Sequence, residues 1–201
     1  MSHARRTMLL FIVVAAGLVL AACPISNPGG GGTVSQDILD MEERTLNLIN
    51  WERTSRSLSA LTMNTSLRTV ARNHSQDMVN RGFFSHTNPD GDDPFDRMAD
   101  AGITYSSAAE NIAWNQGYAD PVQTAVTGWM GSSGHAANIL TSGFTKTGVG
   151  IAVTGGGKYY FTQVFTSGFK RGEPVYVIEG SWVEPEDLVQ GEGPGAWPPV
   201  R

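Results

Sequence analysis

An α+β domain is predicted by two changes of pattern along the 201 residues. Up to about residue 131 apolar side chains recur at helical spacing in several separate segments. From Gly148 onward they alternate with small residues and then run through strand formers. Helices in the first part and paired antiparallel strands at the end argue for layers packed on one core. Residues 36–168 have the length of one domain, and 40% of the chain is hydrophobic, enough to fill that core. The chain contains no internal repeat.

The first helix is expected from Ser35 or Asp37 to Arg53, with Ile38, Met41, Leu48 and Ile49 on one side and acids in its opening turns. A second runs from Asn64 to Arg81. Asn64 or Thr65 caps it, Leu67, Val70, Ala71, His74 and Met78 line one face, and Gly82 ends it. His74 is thereby placed inward, as a core-edge histidine with its hydrogen bond satisfied. A short third helix occupies Pro94 to Ala101 with Asp93 as cap and Gly102 as exit. The fourth starts at Asp120-Pro121, and Val122, Ala125, Val126 and Trp129 give it an apolar stripe, so Trp129 is read as core. Val149, Ile151 and Val153 form one strand, Thr154 to Gly157 a turn, and Lys158 to Thr166 its partner, a hairpin with one face under the helices.

The ends of the chain read differently. Arg5 and Arg6 precede an uncharged apolar run from Met8 to Ala22, shorter than the ~20 residues that cross a bilayer, so residues 1–22 are a secretory signal. The run closes in Leu20-Ala21-Ala22-Cys23, which resembles a bacterial lipobox. That resemblance makes Cys23 the lipidated, palmitate-bearing first residue of an exported, membrane-anchored lipoprotein. Cys23 is also the sole cysteine, so no intramolecular disulfide or thiolate metal cluster is available. Residues 23–35, with Gly29 to Gly32, form a tether. Residues 169–201 are a C-terminal extension with one edge strand at Val175 to Ile178 and a Pro, Gly and Glu-rich end of disordered composition.

The chain carries 14 Lys+Arg against 19 Asp+Glu, and removing Arg5 and Arg6 with the signal leaves 12 against 19, about −7. Such a surface repels nucleic acid and anionic headgroups, so membrane attachment falls to the acyl chains. Three stretches carry the candidate chemistry: Ser85-His86, Glu110-Asn111-Ile112-Ala113, and Gly128 to Leu140 with His135. The last sets one imidazole among glycines and serines between a helix and a strand, where it can be aimed at a cleft.

These stretches share an order with others. Asn50, Arg53, Leu58 and Leu61, then Ala71 to Met78, Ser85-His86, Asp90-Gly91, Glu110 to Ala113, Trp129-Met130, Gly134-His135, Ala137 to Leu140 and Gly148-Val149-Gly150 resemble the bacterial branch of the CAP superfamily over residues 42–166. That superfamily includes the cysteine-rich secretory proteins, insect venom antigens and plant pathogenesis-related class 1 proteins. The resemblance implies a three-layer α-β-α sandwich with a central antiparallel sheet and a large cleft carrying two histidines and usually two acids. The histidines fall on His86 and His135 and the first acid on Glu110. The second acid's position is Ser132, and Ala136 stands where bacterial members commonly have arginine, so the cleft is expected to be roomier and less charged.

Three readings of His86, Glu110 and His135 follow. They form a buried network tying helices to sheet; or His86 and His135 bind Zn²⁺ as neutral imidazoles, with Glu110 as third ligand, acceptor for an imidazole N–H, or general base on bound water; or a Ser-His-Glu arrangement with Ser85 or Ser132 does chemistry. No His-Glu-x-x-His run or Gly-x-Ser-x-Gly elbow adds support for a hydrolase. The leading expectation is a binding module at the cell envelope whose cleft, lined by His86, Glu110, Ser132 and His135, takes a lipid, sterol, peptide or envelope polymer. The alternatives are a Zn-dependent hydrolase and a structural envelope protein with a vestigial cleft.

Overall fold

A computed structural model describes residues 34–168. The expected signal, lipidated Cys23, nearly all of the tether and the C-terminal extension with its edge strand lie outside the described residues. The chain order is α1 (Gln36–Thr54), β1 (Thr62–Met63), α2 (Thr65–Arg81), α3 (Pro94–Asp100), β2 (Ala108–Gln116), α4 (Pro121–Gly131), α5 (Ser133–Leu140), β3 (Lys146–Val153) and β4 (Lys158–Thr166). The first four helices begin where a side-chain oxygen takes up an unpaired backbone amide. Ser35 accepts from Ile38 N–H, Asn64 from Leu67, Asp93 from Phe95 and Asp96, and Asp120 from Gln123. Gly82 closes α2 in the left-handed conformation at φ 69°, which a side chain would disfavour.

The strands lie in the order β1-β3-β4-β2. β3 and β4 form the expected antiparallel hairpin and β2 adds an unexpected antiparallel strand beside β4, but β1 pairs parallel with β3 through Thr62 and Met63, so the sheet is mixed and not purely antiparallel. A two-residue strand leaves no periodicity to read. β2 escaped notice for another reason: polar Glu110 and Asn111 at its centre point to opposite faces, so neither face shows an unbroken apolar alternation.

Both faces of the hairpin are covered, not one. Ala109, Val149, Phe161 and Phe165 pack with Leu46 and Ile49 of α1, Val122 and Trp129 of α4, and Ile139 of α5. On the opposite face Ala108 and Val164 meet Leu67, Val70 and Ala71 of α2 and Met98 of α3, while Ile112 and Tyr160 meet Met78. The result is three layers, helix, sheet and helix.

Two glycines set how closely α2 lies on β3. A Cβ at Gly148 would stand 2.1 Å from the carbonyl carbon of Leu67, and one at Gly150 would stand 2.1 Å from the amide nitrogen of Arg72. Helix backbone therefore rests directly on strand backbone. Ser75 completes the contact by donating to the Gly150 carbonyl at 3.0 Å and sharing a 2.8 Å bond with the Thr162 hydroxyl.

Side chains also finish the two long sides of the sheet. Beyond β1, the Ile151 N–H donates to buried Glu42 of α1 at 3.3 Å, and Glu42 is gripped by Arg68 and Arg72 of α2. Along β2, Trp129 Nε1–H donates to the Ile112 carbonyl at 3.0 Å and Asn138 Nδ2–H to the Glu110 carbonyl at 3.4 Å. Buried Arg53, at the end of α1, donates to the carbonyls of Ser59, Ile139, Thr141 and Phe144. It thus fixes the C-terminal end of α5, a place that suits a cation.

Gly150→Ala is expected to destabilise the domain by ~3 kcal/mol or more, because the clash is with helix backbone that cannot swing away. Gly143→Ala, where an added Cβ meets nothing within 4 Å, should shift the denaturant midpoint by no more than about 0.5 kcal/mol equivalent. Equal midpoints for the two variants would contradict the close approach of α2 to β3.

Candidate functional site

Glu110 projects from β2 toward the layer of α2 and α3, and its side chain is fully buried. Three groups surround it. Arg97 of α3 places Nη2 2.9 Å from Oε2 and 3.1 Å from Oε1. His86, on the loop between α2 and α3, has Nδ1 2.9 Å from Oε1, and because a carboxylate only accepts, Nδ1 carries the proton. His74 of α2 stands 4.0 Å from the same oxygen while its Nε2–H donates to the Ser85 carbonyl at 3.0 Å. His74 is therefore the inward histidine with a satisfied bond that the helix pattern predicts. Arg97 also holds the loop, since Nη1 donates to the carbonyls of His86 at 2.8 Å and Asp92 at 2.9 Å.

Burial on its own would raise the Glu110 carboxyl. Arg97, His74 and His86 outweigh it and hold the group at about 2. His74 is pushed down to about 4 by burial, with Glu110 opposing the shift and Arg97 reinforcing it. His135 falls to about 4 as well, from burial and then from the neighbouring His86.

The stretch around His135 is helical, not a loop between helix and strand. Ser132 ends α4 and starts α5 with an extended backbone, and His135 lies in the first turns of α5. The small residues that resemble a loop in sequence let α4 and α5 meet at a sharp corner. α5 then leans on β2 through amides: Asn111 Nδ2–H donates to the His135 carbonyl at 3.2 Å and Asn138 Nδ2–H to Asn111 Oδ1 at 2.9 Å. The His135 ring is buried, and neither of its nitrogens has a hydrogen-bond partner among the described residues. The Ser132 hydroxyl makes no capping bond, leaving it half-buried at the corner.

Both Glu110 oxygens are spent on Arg97 and His86, so of its three possible roles the geometry matches the acceptor for an imidazole N–H. A carboxylate held near 2 is also a poor base at neutral pH. Among the described residues no group of three or more His, Cys, Asp or Glu is placed to hold a metal ion. Ser85 Oγ accepts from Thr87 N–H, and no serine hydroxyl is bonded to His74 or His135. A groove of about 770 Å³ opens on the outer side of α2. Its lining includes His74 and Arg97 but not His86, Glu110, Ser132 or His135. His74 and Arg97 line the groove and also reach Glu110, and Arg97 reaches the His86 carbonyl as well.

Arg97 is the partner that sequence reasoning missed. One signal pointed to it: no other Lys or Arg occurs between Arg81 and Lys146. A fully buried acid in that region had few cations to choose from.

The histidines make the fold acid-sensitive. Folded, His74 and His135 titrate near 4 against an ordinary 6.5. The unfolded chain therefore binds the extra protons across that window, and stability falls as pH drops through it, by up to ~1.4 kcal/mol per pH unit for each histidine. Glu110, at about 2 against an ordinary 4.5, extends the loss below that window. The melting temperature should fall between pH 7 and pH 4, with a shallower slope in His74→Gln. A flat profile down to pH 4.5 would contradict the burial of neutral imidazoles.

Comparison with known proteins places the site in a family. The model of the CAP domain, described as the cysteine-rich secretory protein family, matches residues 46–165. Among curated proteins, the uncharacterized protein YkwD of Bacillus subtilis is 40% identical over 114 residues, covering 57% of this chain and 43% of YkwD. Among solved structures, an extracellular protein containing a SCP domain from Bacillus anthracis aligns with a TM-score of 0.56 at 28% identity, covering 68% of this chain and 45% of that one. An outer surface protein of Borrelia burgdorferi has the same fold, with a TM-score of 0.59 at 18% identity over 65% of this chain and 94% of its own. The chain thus covers less than half of the two Bacillus proteins. The matched segment contains Glu110 and its partners His74, His86 and Arg97 together with His135, and the chain belongs to the CAP, or cysteine-rich secretory protein, family.

Proposed function

We propose that this CAP domain is a non-enzymatic binding module of the bacterial cell envelope, exported by residues 1–22 and held to the membrane through lipidated Cys23. The observation that carries the non-enzymatic part is the saturation of Glu110. Its carboxylate is buried, ion-paired to Arg97 and bonded to His86, so it orients an imidazole and braces the loop instead of moving protons. The description of the Bacillus anthracis relative as extracellular supports export. No helix among the described residues is long and apolar enough to cross a membrane.

Divalent metal is the second reading. His135 favours it, since its imidazole is neutral at neutral pH, close to His86 and without a hydrogen-bond partner among the described residues. His86 and His135 would offer two nitrogens without a third protein ligand, which suits weak binding better than a resident centre.

Three measurements test these readings. Labelled palmitate should enter the wild-type protein and not Cys23→Ser, and the variant should leave the membrane fraction. Unchanged labelling and fractionation would remove the anchor from the proposal. The purified protein should turn over no peptide, ester or glycan substrate with or without added Zn²⁺; turnover that disappears in His86→Ala would replace the binding module with a hydrolase. In a Zn²⁺ titration, weak uptake lost in His135→Ala would support the imidazole contact, whereas equal uptake by both proteins would assign the metal elsewhere.

A further inference from the structure

The groove over α2 has a chemistry of its own. Asn73, Gln76 and Asn80 occupy one exposed stripe of the helix at helical spacing, while Asn88 of the following loop lines the groove but spends its amide locally, donating to Asp92 Oδ2 and accepting from the Asp90 and Asp92 N–H groups. Side-chain amides both donate and accept, which suits partners that do the same. Gln76 spends one N–H on Asn80 at 2.8 Å, while the Asn73 amide spends none on the described residues.

The charges in the groove are already matched. Arg81 pairs with Asp90 and Asp77, Arg72 with Glu42, and Arg97 with Glu110. None of the three arginines is left to draw a phosphate or a carboxylate, so the groove is poorly suited to an anionic ligand. Ile38, Ile151 and Val153 add an apolar wall for C–H surface. A volume of about 770 Å³ falls within the usual range for ligand sites, roughly 300–1,000 Å³.

We propose that this groove binds a neutral, polyhydroxylated chain, an uncharged oligosaccharide segment, through the amides of Asn73, Gln76 and Asn80. The proposal rests on the binding-module reading and gives it a site separate from His86 and His135 and a ligand class. Amide-to-hydroxyl bonds of this kind contribute about 0.5–1.5 kcal/mol each, so a few of them give weak binding that many repeats along a polymer would strengthen.

The test is a titration of the purified, isotopically labelled protein with N-acetylglucosamine tetramer and with maltotetraose, alongside an acidic galacturonate tetramer, followed by NMR. The expected result is saturable shifts at Asn73, Gln76 and Asn80 with at least one neutral chain, and weaker shifts with the acidic one. Asn73→Ala combined with Gln76→Ala, both at exposed positions, should weaken binding about tenfold. Shifts confined to the surroundings of His86 and His135 would overturn this site while leaving a binding module. Absence of shifts with both neutral chains, or tighter binding of the acidic chain, would overturn the ligand class. An unchanged affinity in the double variant would overturn the amide contact.

Discussion

The seating of α2 on β3 is the constraint from which the rest of the molecule follows. Gly148 and Gly150 let helix backbone touch strand backbone, and that distance decides what side chains on α2 can reach. Ser75 meets the Gly150 carbonyl, Arg68 and Arg72 reach around the strand to Glu42, and His74 comes to 4.0 Å from Glu110. A helix raised by one methyl group would lose those contacts together. The same helix ends at Gly82 and releases the loop that carries His86, so the site inherits its geometry from a packing contact between backbones.

Two buried carboxylates, Glu42 and Glu110, organise opposite sides of the sheet by the same physics. An ionised carboxylate taken out of water costs several kcal/mol unless it is paired and its oxygens are filled. Glu42 meets the cost with two arginines and the Ile151 amide; Glu110 meets it with Arg97, His86 and nearby His74. Removing a single partner would strand a charge in the interior. Both Glu110 oxygens are accordingly taken up by Arg97 and His86, which ties the loop and α3 to β2.

Much of the fold was legible because helix starts and hairpin strands leave local marks. Ser35, Asn64, Asp93 and Asp120 each announce a cap, and each caps a helix. What could not be read was set by partners distant in the chain. β2 is held by β4 and not by any alternation of its own. α5 hides behind Ser132, Ser133 and Gly134, although His135, Asn138 and Ile139 at i, i+3 and i+4 are its buried face. Within the site, family motifs pointed to His86, Glu110 and His135, but the bond between the first two and the role of Arg97 depend on how a short helix packs. Glu42 and Arg53 offered a missed signal, since both fall on the apolar stripe of α1 where a charge needs a partner.

The carbonyls of Glu110 and Ile112 on the outer side of β2 are occupied by Asn138 and Trp129. A strand at the border of a sheet otherwise offers a template on which a second molecule can add its own strand. Here the middle of that template is blocked by side chains from α4 and α5, so copies of the domain crowded together have no open stretch at those positions on which to begin edge-to-edge growth. The tryptophan and asparagine that mark the family in sequence thereby also cover the middle of this sheet border.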